Sequence, residues 1–324
     1  MIVRWGLDEL PGVLAVLGVE RPLLVTTPRW TKVDLTVGSV FDGVRPHAPA
    51  ETVEAAVAAS RDADGLLAVG GGSAIDTAKA VSARRNLPVV SVPTTYSGAE
   101  WTPEFGVRDE ARGVKGGGGG GRVEGIVYEP ELTVTLPIGE TVGTAMNALA
   151  HCAEALYVEG RNAEADEEAL AGASLLSSAL PTVVADGEDR EGRRELLEGA
   201  MHAGAALAGA GLGLGHAMAQ ALGGRYGIAH GAANAVCLPA ALRFNEAVAA
   251  AEIERLSEAV GGGDAAARVA QLAALGGFRQ LRDLGVPRDE LDEVAAATVE
   301  RRGAKANPRQ ATQDEIAELL REIW

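Results

Sequence analysis

The chain has 324 residues, 47% hydrophobic and 23% charged, which fits a globular protein with room for two cores and excludes a disordered or fibrous one. Its formal net charge of -16 repels phosphate backbones and anionic membranes at long range, so no nucleic acid and no membrane partner is expected, although a local site can still hold an anion. The two cysteines, Cys152 and Cys237, lack CxxC spacing, the segment Met1–Gly6 carries no signal-peptide core, and no apolar stretch reads as long enough to cross a bilayer, which together predict a cytoplasmic protein with reduced thiols.

The first half alternates short β-rich runs with helical patterns. Arg21–Thr27 reads as a buried strand closed by Pro28, and Ala50–Arg61 as a helix entered through Pro49. Gly65–Val69 is a second buried strand, Ala74–Arg84 a helix and Pro88–Pro93 a third strand. Strand, helix and strand joined by short connections predict a Rossmann-like parallel sheet wrapped by helices. Asp109–Gly113 reads as a turn and Gly116–Gly121 as a flexible loop, after which Ile126–Tyr128 and Leu132–Val134 resume β character. From Thr141 onward the chain reads as Ala- and Leu-rich helices. The expected organisation is an α/β cofactor domain over residues 1–138, followed by an all-helical domain over 139–324.

Gly70-Gly71-Gly72-Ser73-Ala74-Ile75-Asp76-Thr77-Ala78-Lys79 lies where a strand ends and a helix begins. Glycines there let a pyrophosphate approach the backbone, and the uncapped N–H groups and dipole of the helix favour an anion. The cluster is not a GxGxxG fingerprint and equally suits a tight structural turn. Pro93-Thr94-Thr95-Tyr96-Ser97-Gly98-Ala99-Glu100 follows the next strand, and such strand ends converge on the ligand crevice of a parallel sheet.

Together these two segments resemble the paired cofactor motifs of the iron-containing alcohol dehydrogenase superfamily. The resemblance implies an NAD(P) cofactor with Gly70, Gly71, Gly72, Ser73 and Asp76 by the pyrophosphate and neighbouring ribose. It further implies Thr94, Thr95 and Ser97 on the diphosphate and nicotinamide half, Lys115 reaching the phosphates, and a homodimer. The strand at Leu23–Thr27 ends in Thr26-Thr27-Pro28-Arg29 without the carboxylate that would repel a 2′-phosphate, so NADP is allowed as well as NAD.

The chain has five histidines. Asn147 and His151 stand one turn apart on a predicted helix, His216 follows Gly211-Leu212-Gly213-Leu214-Gly215, and His230 opens His230-Gly231-Ala232-Ala233-Asn234. In the family these segments supply one Asp and three His to a catalytic divalent metal, and His151, His216 and His230 match the histidines. His47 and His202 read as ordinary residues, and Cys152 and Cys237 as core. Two positions depart from the pattern. Asn147 replaces the metal-binding Asp, and Gln220 stands where many of the alcohol dehydrogenases carry a further histidine. Neutral imidazoles and an amide cancel none of an ion's charge, so iron or zinc is expected to bind weakly or not at all.

The segments around Val92–Pro103 and Met146–Tyr157 resemble the maleylacetate reductase branch, whereas His230–Asn234 follows the alcohol dehydrogenase pattern. The expected activity is hydride transfer between nicotinamide and a small alcohol, carbonyl or oxo-acid, such as maleylacetate going to 3-oxoadipate. His151, His216, His230 and Asn147 are the expected catalytic groups; Tyr96 and Glu100 suit a lining position, and equally a position behind the site or at the surface. The alternatives are a dehydroquinate synthase-like lyase, which needs more basic residues than this chain offers, and a degenerate member that binds a dinucleotide without turnover.

Overall fold

A computed structural model describes residues 1–35, 37–109 and 114–324. The chain divides into two compact units, one of Met1–Thr95 with Ala99–Thr133 and one of Tyr96–Gly98 with Val134–Trp324. The α/β-then-helical architecture predicted from the sequence is the one observed.

The first unit contains β1 (Ile2–Trp5), α1 (Leu10–Val16), β2 (Pro22–Val25), β3 (Ser39–Phe41), α2 (Ala50–Ala59), β4 (Gly65–Gly70), α3 (Gly72–Arg85), β5 (Pro88–Pro93), β6 (Phe105–Asp109), β7 (Val114–Gly118) and β8 (Arg122–Tyr128). Six strands form a parallel sheet in the order β1-β8-β5-β4-β2-β3. β4 is buried along its whole length because both its faces are covered. Leu66 and Ala68 pack with Ile75, Ala78 and Val81 of α3 on one face. Leu67 and Val69 pack with Leu10, Val13 and Leu14 of α1 on the other. α3 closes at Asn86, which adopts the left-handed conformation, with Arg84 and Arg85 in the last turn complementing the helix dipole.

Four sequence readings need correction. The glycine run is no simple loop, because Gly116–Gly118 pair with Phe105–Val107 in an antiparallel hairpin. Glycine keeps both backbone hydrogen-bonding groups, and the Phe105 ring fills the space over Gly118 that a side chain would need. Leu132–Val134 is not a strand, since Pro130–Thr133 forms a single tight helical turn. The short elements β1, β3 and α1 were not predicted; each is too brief to show a period. The predicted turn at 109–113 lies, beyond Asp109, outside the described residues.

The second unit contains α4 (Ile138–Ala155), α5 (Ala163–Ala185), α6 (Arg190–Ala210), α7 (Leu214–Tyr226), α8 (His230–Ala259), α9 (Ala265–Ala274), α10 (Leu291–Val299), α11 (Arg302–Lys305) and α12 (Gln313–Glu322). The fourth correction concerns α5, which by length and composition alone is long and apolar enough to cross a membrane. It packs instead as a core helix, with Ala165, Ala169, Ala173, Leu176, Leu180 and Val183 buried along one stripe. Asn162 caps its first turn by accepting from the Ala165 N–H.

In the first unit a buried cation organises the segment after β5. Lys79, on α3, is 1% exposed and donates to the carbonyls of Ala99 at 2.6 Å, Thr102 at 3.3 Å and Glu104. Its ammonium also lies 3.2 Å from Asp76. Lys79→Met keeps the apolar stem but strands these acceptors and the carboxylate, so it should destabilise the unit by about 3 kcal/mol. Thermal unfolding followed by circular dichroism checks this; a midpoint unchanged within error would show that the carbonyls find other donors.

Candidate active site

Two constellations emerge, one in each unit. In the first, Gly70 and Pro93 are register partners at the carboxyl ends of β4 and β5, and the Thr94 N–H donates to the Gly70 carbonyl at 3.0 Å. The glycine turn and Thr94-Thr95 therefore lie side by side. A Cβ on Gly71 would come within 2.8 Å of Thr95 Cγ2, so only glycine allows this approach. No side chain caps α3, and Thr95 Oγ1 is buried without a partner. Free helix N–H groups beside an unsatisfied hydroxyl fit a dinucleotide phosphate.

Other predicted cofactor residues are already engaged. Ser73 Oγ accepts from the His47 N–H at 3.0 Å, and His47 and Ala48 both hold positive φ, 64° and 45°. This ties a strained loop to the start of α3. Asp76 accepts from the Gly106 N–H at 3.1 Å besides pairing with Lys79. Lys115 stands on β7 opposite Arg108. Thr26 Oγ1 donates to the Val69 carbonyl at 2.7 Å, and Arg29 lies over the Trp30 ring.

Glu100 does not line an open site. It is 1% exposed, accepts from the Tyr128 hydroxyl at 3.0 Å, and burial raises its carboxyl pKa. Tyr96, in the second unit, is fully buried and its hydroxyl accepts from Arg193 at 3.2 Å. Both are core residues, so of the readings the sequence left open the lining one does not hold.

The second constellation belongs to the helical unit. Asn147, His151 and Glu154 fall on one face of α4 by their spacing, and all three are buried. A Cβ on Gly231 would overlap the Gly143 carbonyl, so glycine permits α8 to cross α4 in close contact just beside His230. The rings of His151 and His216 stack with centroids 4.6 Å apart, and those of His216 and His230 lie 5.6 Å apart. The sequence-predicted histidines thus converge, together with Asn147.

Glu154 was missed from the sequence. Its carboxylate accepts from the Gly213 N–H at 2.6 Å, the His216 N–H at 3.1 Å and His216 Nδ1 at 2.7 Å. It thereby occupies the N-terminus of α7 and sets the His216 tautomer, with the proton on Nδ1 and Nε2 turned to the cluster. His216 Nε2 and His151 Nδ1 are buried without partners. Burial, reinforced by the neighbouring His216, depresses the His151 pKa well below its ordinary value, so its ring is neutral near pH 7.

Asn234, also missed, decides how well this set suits a metal. Asn147 Nδ2 donates to the Ser97 carbonyl at 3.0 Å, which turns its Oδ1 toward Asn234. Asn234 Nδ2 donates there at 2.7 Å and also contacts His230 Nε2 at 3.2 Å. One amide nitrogen therefore engages two of the atoms that a metal would need. No carboxylate lies among the predicted ligands, and no metal-binding group of three or more His, Cys, Asp or Glu occurs among the described residues. The donor set does not fit a tightly held divalent cation. Cys152 and Cys237 are buried, free thiols whose pKa values burial pushes up, which leaves them inert.

Comparison with known proteins identifies the family. Residues 3–120 match the family described as iron-containing alcohol dehydrogenase, and residues 141–324 match the C-terminal part of the Fe-containing alcohol dehydrogenase family. The chain is 36% identical to a maleylacetate reductase of Sphingobium indicum, across 98% of this chain and 92% of that protein. Among solved structures, an iron-containing alcohol dehydrogenase of Corynebacterium glutamicum superposes with a TM-score of 0.92 at 31% identity, covering 100% of this chain and 94% of that one. A maleylacetate reductase of Agrobacterium tumefaciens gives 0.90 at 31% identity, covering 100% and 95%.

Two outcomes test the site. Gly71→Ala should displace Thr95 and weaken NAD(P)H binding by about tenfold or more in a folded protein, measured by nucleotide fluorescence titration. Unchanged affinity would remove the glycine turn from the cofactor site. Asn147→Asp places a carboxylate among the imidazoles and should tighten zinc binding by at least roughly tenfold in calorimetry. Tight, stoichiometric zinc in the unmodified protein would overturn the charge argument.

Proposed function

The chain belongs to the iron-containing alcohol dehydrogenase family, and we propose that within it the protein reduces the carbon–carbon double bond of maleylacetate to give 3-oxoadipate. Membership makes it an NAD(P)-dependent oxidoreductase acting on a small molecule. NAD(P) and a metal are typical of the family. The single observation behind the finer reading is the Asn147–Asn234–His230 network, a set of neutral hydrogen-bonding groups where a metal-dependent relative needs a charged ligand. A conjugated enone suits such a site, because its reduction develops charge on an oxygen that donors can stabilise without a Lewis acid.

NAD(P)H held at the glycine turn and Thr94-Thr95 would supply a hydride for the alkene carbon β to the ketone, and reduction there develops charge on the ketone oxygen. His151 Nδ1 and His216 Nε2, the unpartnered ring nitrogens, can donate to that oxygen when they carry a proton, His151 in its Nδ1–H tautomer and His216 as the doubly protonated ring. Glu154 holds the Nδ1–H of His216, so that ring is oriented before substrate arrives; a second proton taken up on Nε2 from solvent makes the ring an imidazolium balanced by the Glu154 carboxylate, and that Nε2 proton can pass to the α carbon. Asn234 keeps Asn147 and His230 in place, and burial of Asn147, His151 and His216 limits water around the developing charge. The metal is, in this reading, weakly held or absent, and no step depends on it.

The cofactor strand supports acceptance of NADPH, since no carboxylate follows β2 directly; Asp42, after β3, leaves NADH competent as well.

Purified protein mixed with maleylacetate should consume NADH and NADPH, and should keep most of its activity after exhaustive treatment with a chelator. Absence of turnover with maleylacetate rejects the substrate. Activity lost to the chelator and restored by iron or zinc rejects the metal-independent mechanism.

A further inference from the structure

Between Leu214 and Gly224 every residue of α7 is buried except Gln220. Before its last two residues the helix therefore meets accessible space at one position. Gln220 lies four residues after His216, on the same face and about 6 Å along the axis. Whatever enters beside Gln220 comes within one helical turn of the histidine cluster.

Arg301, immediately before α11, faces this position. Its Nη1 approaches Gln220 Oε1 at 3.4 Å, a long contact, and its Nε is buried without a partner. No carboxylate pairs with it among the described residues. Other part-buried arginines of the same unit are compensated: Arg255 pairs with Asp166 at 2.5 Å, and Arg309 pairs with Glu315. Arg193, deeper still, donates to Gly187, Thr141 and Tyr96 oxygens and lies within 3.4 Å of the Val134 and Leu136 carbonyls. Arg301 has no such shell. Burial lowers its pKa, which reports a cation short of both water and counter-charge. With Nη1 turned to Gln220, the edge formed by Nε–H and the second Nη remains, and that edge matches a carboxylate in the side-on, two-bond geometry.

We propose that Arg301, steadied by Gln220, is the anchor for a substrate carboxylate. It selects short oxo-acids over neutral carbonyl compounds for the histidine site. The spacing suits a molecule whose ketone oxygen lies at His151 and His216 while a carboxylate a few carbons away reaches the guanidinium. The identity of that molecule as an enone diacid rests on the reaction proposed above; the carboxylate anchor does not.

Two measurements separate these layers. Calorimetry with adipate, a saturated dicarboxylate, and bound NADPH tests the anchor without turnover. Arg301→Met should weaken adipate binding by roughly 10- to 100-fold, and Arg301→Lys by less, because the ammonium restores charge but not the fork. NADPH affinity should stay the same in both. In steady state, Arg301→Met should raise KM for maleylacetate by a similar factor, yet change kcat/KM for an uncharged α,β-unsaturated ketone less than about threefold. Adipate bound equally by wild type and Arg301→Met, or loss of equal size for charged and neutral substrates, overturns the proposal. If maleylacetate is not turned over while adipate binding still depends on Arg301, the substrate assignment fails and the anchor stands.

Discussion

A carboxylate cut off from water must be met by donors, and Glu154 is met by three from one stretch of chain. An isolated buried anion costs several kcal/mol, so the loop ahead of α7 cannot drift from α4 without exposing that cost. Two of the donors are backbone N–H groups at the start of α7, where the helix dipole favours negative charge. The third is the imidazole of His216. One interaction thus sets the position of α7 against α4 and the tautomer of the central histidine. Structure and chemistry depend here on the same three hydrogen bonds.

The arrangement on the other side of the cluster follows from neutrality. Asn147 cannot carry charge, so its carbonyl oxygen needs only one ordinary donor, and Asn234 supplies it. The same amide reaches His230, which makes the network self-sufficient without a cation. With Asp at this position, the oxygen facing Ser97 would oppose a carbonyl and the pair would call for an ion between them. Amide against carboxylate is a difference of a few atoms, and it removes the charge with which this position would favour a metal.

Much of this was legible in the sequence. The buried strands β2, β4 and β5 showed as short apolar runs because a parallel sheet covered on both faces demands them. His151, His216 and His230 were identified through their motifs, and they converge. Glu154, Asn234 and Lys79 were not found, although their spacing from the motifs was visible: Glu154 lies three residues past His151, and Asn234 four past His230. What was missing is long-range information. A buried Glu becomes meaningful only when the loop that it caps is known. The same limit explains Glu100 and Tyr96, which stand beside the Thr94-Thr95 motif but are buried in the core, where the Tyr128 hydroxyl donates to one and Arg193 to the other. The glycine run failed for the opposite reason, since composition suggests flexibility while its backbone groups pair with β6.

The scarcity of large side chains is itself a condition for the site. Only 4% of residues are aromatic, and Gly counts 42. Histidine rings 4.6 Å apart on different helices need those helices to approach closely, and close approach needs small residues at the crossing. The Gly231 contact on Gly143 supplies this for α4 and α8. The stripe of Ala165, Ala169, Gly172 and Ala173 on α5 extends the same tight packing behind α4. A core of that kind gains less from each side chain than one filled with Leu and Phe, and it compensates by numbers of contacts along long helices. It also leaves little room to relax, so the imidazoles are held by the packing of backbones before any ligand arrives. Preorganisation of that kind is what a hydrogen-bonding site needs if it is to stabilise charge without a metal, because donors that must first rearrange lose most of their advantage.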